Sequence, residues 1–129
     1  MAVQTARTKA LDLSGLRSAD IDFWTIWDDE TLCGTGAWKR LSSDHGEVTS
    51  MHTAQAQRRK GVAGAMLDHL IATAQGHGMS RLSLETGSWD FLAPARALYR
   101  RHGFVASGPF GDYGPDPNSV FMTLALTGR

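Results

Sequence analysis

The segment from Met51 to Leu67 constrains the fold of this chain more than any other. Its residues predict the end of a strand, then a turn with three basic residues at 58–60, then the first turn of a helix. Gly61 and Gly64 lie in the turn and the helix start, where the lack of a Cβ lets the backbone approach a ligand closely. The free N–H groups and the dipole of a helix N-terminus also favour an anion. The segment therefore suits the binding of a pyrophosphate.

This turn alone does not decide between a phosphate site and an ordinary solvated start of a helix. Two other phosphate-binding motifs are absent from the sequence, which contains no G-x-x-x-x-G-K-[ST] pattern and no G-x-G-x-x-G pattern opening a long βαβ unit. The remainder of the chain must therefore identify the fold.

Length and charge exclude several classes of protein. A chain of 129 residues predicts a single domain over 1–129. Thirteen basic and thirteen acidic residues give a net charge of zero, which argues against general binding to nucleic acid or to a membrane surface. The single cysteine, Cys33, excludes an intramolecular disulfide and a cysteine metal cluster. Since no apolar segment is long enough for a membrane span or a signal peptide, the sequence predicts a cytoplasmic protein.

Hydrophobic periodicity predicts an α+β domain. Alternating and β-branched residues predict strands over 21–28, 32–41, 47–53, 82–86, 104–106 and 120–126. Apolar stripes predict helices over 62–76 and 91–102, each ending at glycine. Residues 1–19 form an N-terminal segment, predicted to lack order over 1–9 and to form a short helix over 10–17. The element order predicts a mixed, mostly antiparallel central sheet with helices on both faces.

A second motif lies downstream of the first, with one predicted strand between them. Residues 58–63 read Arg-Arg-Lys-Gly-Val-Ala, and residues 95–104 read Ala-Arg-Ala-Leu-Tyr-Arg-Arg-His-Gly-Phe. The first resembles the [Arg/Gln]-x-x-Gly-x-[Gly/Ala] signature of the GNAT N-acetyltransferases, and the second resembles their A-x-x-L-Y-x-x-x-G-F segment. Residues 81–88 and 109–122 are similar to a bacterial subgroup of GNAT acetyltransferases. The resemblance covers residues 20–126 and implies a GNAT fold and the use of acetyl-CoA.

In that superfamily the loop binds the pyrophosphate of coenzyme A, and the strand before it contacts the pantetheine arm. The resemblance therefore implies a cofactor site at Met51, His52, Thr53, Arg58, Arg59, Lys60, Gly61, Val62, Ala63 and Gly64. The chain departs from the family at Leu92, where many members carry an Asn that contacts the cofactor.

The N-terminus also departs from the family pattern. Only about twenty residues precede the strand at Ile21, so the first strand and much of the first helix are expected to be missing or shortened. A truncated chain, a misassigned start and completion of the acceptor site by a homodimer partner are the alternatives.

Acetyl transfer to an amine requires a neutral nucleophile, whereas an alkylamine with a pKa of about 10.4 is almost entirely protonated at pH 7. A positioned base therefore contributes about 10²–10⁴-fold. Glu47 resembles the base glutamate of some GNAT members, and Glu85 on the next strand is the second candidate. The resemblance places the Tyr99 hydroxyl near the coenzyme A sulfur, as general acid for the thiolate. An exposed carboxylate or a core tyrosine is the alternative in each case.

The strand over 47–53, if regular, places Glu47, Thr49, Met51 and Thr53 on one face and His52 on the other. Backbone groups of Met51 and Thr53 would then face the pantetheine arm.

The acceptor is predicted to be the amine of a small molecule. Candidate contacts are Trp24 on the first hairpin, with core packing as its alternative, and Asp112 and Tyr113 in a loop over 108–118 that is long for a hairpin. A non-catalytic acyl-CoA sensor and a peptide or protein N-acetyltransferase are the alternative functions. The histidines lack partners at metal-ligand spacing, so no metal site is predicted. Cys33 lies on the wrong strand for a nucleophile, which favours direct transfer.

Overall fold

A computed structural model describes residues 2–5, 21–58 and 61–126 of the chain. Within these residues the strands are β1 (Ala2–Thr5), β2 (Ile21–Asp28), β3 (Thr31–Ser42), β4 (His45–Thr53), β5 (Arg81–Gly87), β6 (Val105–Ser107) and β7 (Ser119–Ala125). The α-helices of the same residues are α1 (Val62–Gly76) and α2 (Ala93–Arg101), and single 3-10 turns occupy Gln55–Gln57 and Asp90–Leu92.

The strands form one seven-stranded sheet in the order β1-β2-β3-β4-β5-β7-β6. Every neighbouring pair is antiparallel except β4 and β5, which are parallel and lie in the middle of the sheet. The predicted mixed and mostly antiparallel sheet is therefore confirmed, and its single parallel pair separates a four-stranded half from a three-stranded half.

The N-terminal segment differs from the expectation. Residues 2–5 form β1, which pairs antiparallel with β2 from Ala2↔Trp27 to Thr5↔Trp24. The prediction that these residues lack order was therefore wrong, because four residues suffice to extend the sheet along the free edge of β2. The first strand is present in the shortened form that the sequence analysis allowed. The helix predicted over 10–17 lies outside the described residues.

One face of the sheet carries the core, and α1 covers it. The buried residues of α1 recur at the spacing of one helical stripe: Val62, Met66, Leu67, Leu70, Ile71 and Ala74. Trp38 on β3 packs on this face and donates a hydrogen bond from Nε1 to Thr73 Oγ1 of α1 over 3.2 Å. Helix α2 lies beside α1, where His102 Nε2 is 3.0 Å from Asp68 Oδ1. The predicted helix on the opposite face falls outside the described residues.

Both α-helices end in a Schellman motif, which explains the glycines that follow them. After α2, Gly103 has a φ of 98° and donates its N–H to Arg100 O over 3.0 Å. Phe104 donates its N–H to Tyr99 O over 3.1 Å and packs its ring 6.0 Å from the Tyr99 ring. The spacing of Tyr, Gly and Phe in the second motif is therefore the spacing of a helix end that holds Tyr99 in place.

A β-bulge in β4 changes which side chains share a face. Residues Ala37 and Thr35 of β3 pair with Thr49 and His52, so β4 contains one extra residue in this interval. Beyond the bulge, the side chain of Met51 lies on the α1 face: its Sδ is 3.2 Å from where a Cβ on Gly36 would be. The prediction that Glu47 and Met51 share a face was wrong, because it assumed a regular strand.

The close approach of β3 to α1 at Gly34 predicts a loss of stability on Gly34→Ala. A Cβ at this position would lie 2.7 Å from the backbone oxygen of His52 and 2.9 Å from Val62 Cγ1. Overpacking of this kind costs about 1–3 kcal/mol. The free energy of unfolding, measured by urea denaturation, should fall by that amount.

The matched control is Gly76→Ala at the end of α1, where a Cβ meets no atom within 4 Å. This variant should lose no stability, because alanine is favoured over glycine in helices by about 1 kcal/mol. Equal stability of the two variants would contradict the packing of β3 against β4 and α1.

Candidate active site

Strands β4 and β5 separate after a short parallel contact. They pair at His45↔Arg81, Gly46↔Leu82 and Glu47↔Ser83. Beyond this point β4 continues to Thr53 beside β3, and β5 continues to Gly87 beside β7. The two strands are therefore held apart by their other neighbours, and a gap opens between them in the middle of the sheet.

Hydrogen bonds between the segments that precede β4 and β5 hold the two strands together at the closed end of this gap. Ser80 and Arg81 both donate backbone N–H groups to Asp44 O, over 2.8 and 3.2 Å. His45 Nε2 is 2.8 Å from Ser83 Oγ, diagonally across the parallel pair. Burial, with the Arg81 charge adding to it, lowers the pKa of His45 below its usual value, so this histidine is neutral at pH 7. These contacts keep the strands closed at one end while the other end is open.

A cavity of about 350 Å³ occupies the gap. Its wall consists of residues from β4, β5, the 3-10 turn before α2, α2 itself and the loop after β6: Glu47, Val48, Thr49, Met51, Leu84, Glu85, Thr86, Leu92, Ala95, Tyr99 and Tyr113. The charged members of this set are the two carboxylates Glu47 and Glu85, one on each strand. The cavity is therefore acidic and favours a cation.

Each carboxylate accepts a hydrogen bond from a hydroxyl group. Tyr113 Oη donates to Glu47 Oε2 over 2.6 Å, and Ser119 Oγ donates to Glu85 Oε2 over 2.7 Å. The hydrogen bond to Glu47, with burial and the nearby Glu47 and Glu85 charges adding to it, raises the pKa of Tyr113 far above its usual value. Tyr113 therefore keeps its proton at neutral pH and acts as the donor in this contact.

A larger groove of about 750 Å³ adjoins this cavity. It runs from the end of β4 past the start of α1 and along α2, and its charged lining residues are the cations Arg58 and Arg101. Gly61 precedes the first residue of α1 with a φ of 79°, and a Cβ there would meet no atom within 4 Å. The first N–H groups of an α-helix have no partner within the helix, so this open, basic end of the groove favours an anion.

The groove and the cavity meet at Tyr99. Both are lined by Met51, Leu92, Ala95 and Tyr99. Burial raises the pKa of Tyr99 above 10, so its hydroxyl keeps its proton at neutral pH. A hydroxyl donor thus lies between a basic groove and an acidic cavity.

The structure brings most of the predicted cofactor residues together along the groove. Its lining includes Met51, His52, Thr53, Arg58, Gly61, Val62, Ala63 and Gly64. The remaining two, Arg59 and Lys60, lie outside the described residues. The three candidate catalytic residues Glu47, Glu85 and Tyr99 all line the cavity.

Two of the three candidate acceptor contacts are not brought to the cavity. Trp24 is 4% exposed and packs against Trp38 and His69 in the core on the α1 face, with ring centroids 5.5 and 5.3 Å apart. Asp112 is exposed and does not line the cavity, whereas its neighbour Tyr113 does. The position of Trp24 agrees with core packing, which the sequence analysis gave beside a role in the acceptor site.

Several contacts that complete the cavity wall were not predicted from the sequence. Leu92 lines both spaces, and its Cδ1 lies 2.5 Å from where a Cβ on Gly87 would be, so the glycine makes room for it. The contact between Ser119 and Glu85 could have been predicted from the sequence, because both residues lie at or next to the ends of strands predicted to share one sheet. The contact between Tyr113 and Glu47 could not, since 66 positions separate the two residues and no sequence pattern connects them.

Two classes of feature are absent from the described ranges 2–5, 21–58 and 61–126. No helix there is long and apolar enough to cross a membrane. No three side chains of the metal-binding types come close enough there to hold an ion.

Comparison with known proteins identifies the family. Residues 3–104 match the model of the acetyltransferase (GNAT) family. The chain is 51% identical over 117 residues to the uncharacterized N-acetyltransferase YsnE of Bacillus subtilis, covering 91% of this chain and 78% of that protein.

Solved structures have the same fold. A Klebsiella pneumoniae protein proposed to be an acyl-CoA N-acyltransferase superimposes with a TM-score of 0.85 at 26% identity, over 97% of each chain. A GNAT acetyltransferase of Elizabethkingia anophelis, solved with acetyl-CoA bound, gives a TM-score of 0.76 at 15% identity, again over 97% of each chain. The family match and the YsnE identity together establish that this chain belongs to the GNAT acetyltransferase family, as an acyltransferase whose cosubstrate is acetyl-CoA.

Proposed function

We propose that the protein transfers an acetyl group from acetyl-CoA directly to an amine of a small molecule, in the gap between β4 and β5. The observation that carries this proposal is the meeting of a basic groove and an acidic cavity at the Tyr99 hydroxyl. Acetyl-CoA is a polyanion and an amine acceptor is a cation before it reacts. The charges of the two spaces therefore match the charges of the two substrates.

The cofactor end of the groove is lined by Arg58 and by Gly61 to Gly64 at the start of α1. Its left-handed Gly61, the N-terminus of α1 and the Arg58 charge suit a pyrophosphate, and the space above Gly61 is open. From there the groove leads along the end of β4, at Met51 and Thr53, into the gap. Backbone groups at the facing edges of β4 and β5 are not paired with each other beyond Glu47, and amides of a pantetheine arm can bond to such an edge.

Glu47 is the proposed base. It lies where the strands begin to separate, on the acidic side of Tyr99, and one of its two oxygens is held by Tyr113. The carboxylate first attracts the protonated amine and then takes a proton from it, directly or through a water molecule, which produces the neutral nucleophile. Glu85 on the facing strand is the second candidate and also attracts the cation.

Tyr99 is the proposed acid. Its raised pKa keeps the hydroxyl protonated at neutral pH, so its Oη can donate a hydrogen bond, or a proton, to the leaving sulfur. The Schellman motif at the end of α2 supports this role, because it holds the backbone of Tyr99 against Phe104.

Direct transfer is favoured over a covalent enzyme intermediate. The single cysteine, Cys33, is fully buried on β3, where its Sγ donates to Thr31 O over 3.5 Å. It lines neither the groove nor the cavity. A thiol in this position has no path to a thioester.

The size of the cavity favours a small acceptor. About 350 Å³ accommodates a small molecule or a single side chain, so peptide or protein acetylation is the alternative in which only a terminal residue enters. A non-catalytic sensor would need the groove but not Glu47 together with Tyr99. A cytoplasmic location is part of the proposal and rests on the sequence alone.

The cofactor site is tested by Gly61→Trp. The indole ring would fill the space above the turn, and tryptophan is also strained at a φ of 79°. Binding of acetyl-CoA, titrated in a calorimeter, should be lost. The control is Gly114→Trp in the loop after β6, another glycine whose Cβ would meet open space, and this variant should bind normally. Normal binding by the Gly61 variant would remove the turn from the cofactor site.

The reaction is tested by following release of free thiol from acetyl-CoA against a panel of small amines and peptides. Amine-dependent release is expected for the wild type, and the panel identifies the acceptor class. In the same assay Tyr99→Phe should lower kcat by about 10²-fold or more, because the donor to the leaving sulfur is removed. Its affinity for acetyl-CoA in the calorimeter should change little.

Two results would contradict this account. Unaltered turnover in the Tyr99 variant would remove the acid role. Tight binding of acetyl-CoA without thiol release for any acceptor would favour the sensor.

A further inference from the structure

The contact between Tyr113 and Glu47 connects a loop to the proposed base. Tyr113 lies in the irregular loop between β6 and β7, and its side chain is 42% exposed. Its Oη nevertheless approaches Glu47 Oε2 to 2.6 Å. This short distance is typical of a hydroxyl bound to an ionised carboxylate.

Three aromatic rings hold the loop in this position. The ring of Phe110 lies 5.2 Å from that of Tyr113 and 5.9 Å from that of Phe121, and Tyr113 lies 5.4 Å from Phe121. Phe121 belongs to β7 and is only 6% exposed, so the cluster ties the loop to the sheet. The Tyr113 N–H donates to Phe110 O over 3.1 Å, which closes the turn between them.

A glutamate carboxylate needs such a contact in order to act from one orientation. The last torsion of a glutamate side chain has a broad distribution, so an unheld carboxylate rotates freely. A donor on Oε2 restricts that rotation. Within the described residues no hydrogen bond is made by the other oxygen, Oε1, and the side chain lines the cavity.

We propose that Tyr113 is a positioning residue for Glu47: it holds Oε2 and thereby presents Oε1 to the acceptor amine. This inference rests on the proposed function, because it assigns Tyr113 to the orientation of the base. It replaces the sequence-based expectation that Tyr113 contacts the acceptor. It also gives the loop between β6 and β7 a part in the reaction, since that loop carries the donor.

The kinetic test is Tyr113→Phe, which keeps the ring in the aromatic cluster and removes only the hydroxyl. A misplacement of about 1 Å at a reacting group can cost about 100-fold in rate, so kcat for the amine should fall about 10- to 100-fold. The KM for acetyl-CoA should stay within about twofold, because Tyr113 does not line the groove.

The matched control is Ser88→Ala. Ser88 Oγ donates to Pro117 O over 3.0 Å and so anchors the other end of the same loop without contacting Glu47. If Tyr113 acted only by holding the loop, the two variants would lose similar activity. We expect the Ser88 variant to lose much less.

A double-mutant cycle decides whether Tyr113 acts through Glu47. In a Glu47→Gln background, Tyr113→Phe should cause no further loss of kcat, because the base it orients is already removed. If the double variant instead lost kcat by the product of the two single-variant factors, the proposal would be overturned. Tyr113 would then act independently of Glu47, for example by contacting the acceptor.

A second readout does not depend on activity. The chain has two tyrosines, so Tyr99→Phe leaves Tyr113 as the only group that forms tyrosinate. Its absorbance titration should begin at lower pH when Glu47→Gln is added, because the carboxylate that opposes ionisation of Tyr113 is gone. An unchanged onset would show that the contact is not made in solution and would overturn the proposal.

The readouts separate this inference from the proposed function. Both are supported if the wild type is active, the tyrosinate titration begins at lower pH in the Glu47 variant, and Tyr113→Phe causes no further loss of kcat in the Glu47→Gln background. If the titration shifts but the two losses of kcat are independent, the positioning role is overturned and the transferase function is not. A wild type that releases no thiol with any acceptor overturns the proposed function, and the positioning role with it.

Discussion

The early end of pairing between β4 and β5 is the constraint on which the rest of the site depends. Three parallel pairs hold the strands together up to Glu47. Beyond them each strand follows its antiparallel neighbour, β3 or β7. Because each strand is paired with its antiparallel neighbour beyond Glu47, the gap between them follows from the topology of the sheet. Both cavity carboxylates and Tyr99 are arranged around this opening.

The opening also separates two electrostatic environments. The groove on the α1 side is lined by Arg58 and Arg101, and the cavity contains Glu47 and Glu85. In the proposed reaction, an anionic cosubstrate and a cationic acceptor would therefore be attracted from different directions and would meet at Tyr99. Since each carboxylate has a hydroxyl donor, Tyr113 or Ser119, the two acidic side chains are oriented before any substrate binds.

The sequence predicted the parts of this structure that depend on local pattern. Helix α1, strand β2 and the glycine stop after α2 follow from periodicity and from the need for a left-handed residue at a helix end. The motif spacing at Tyr99 is likewise a local property, because it is the spacing of a Schellman motif. The proposed cofactor residues came from a family resemblance, and those described lie together along the groove because a strand end and a helix start are close in the chain.

What was missed depends on contacts between distant residues. A bulge in β4 is visible only against the register of β3, so the faces of Met51 and His52 were misassigned. The hydrogen bond from Tyr113 to Glu47 was not predicted, because it depends on a loop that returns across the sheet. The strand β1 was missed because four residues carry too weak a pattern, and it forms only because β2 offers a free edge.

The central claim is that the gap between β4 and β5 is where the thioester and the amine meet. The most direct measurement is a crystal structure of the protein with a non-reactive acetyl-CoA analogue. The account predicts the pyrophosphate at the turn around Gly61, the acyl group between β4 and β5, and the Tyr99 hydroxyl within hydrogen-bonding distance of the sulfur position. A cofactor bound elsewhere on the sheet, with its acyl group far from Tyr99 and Glu47, would contradict it.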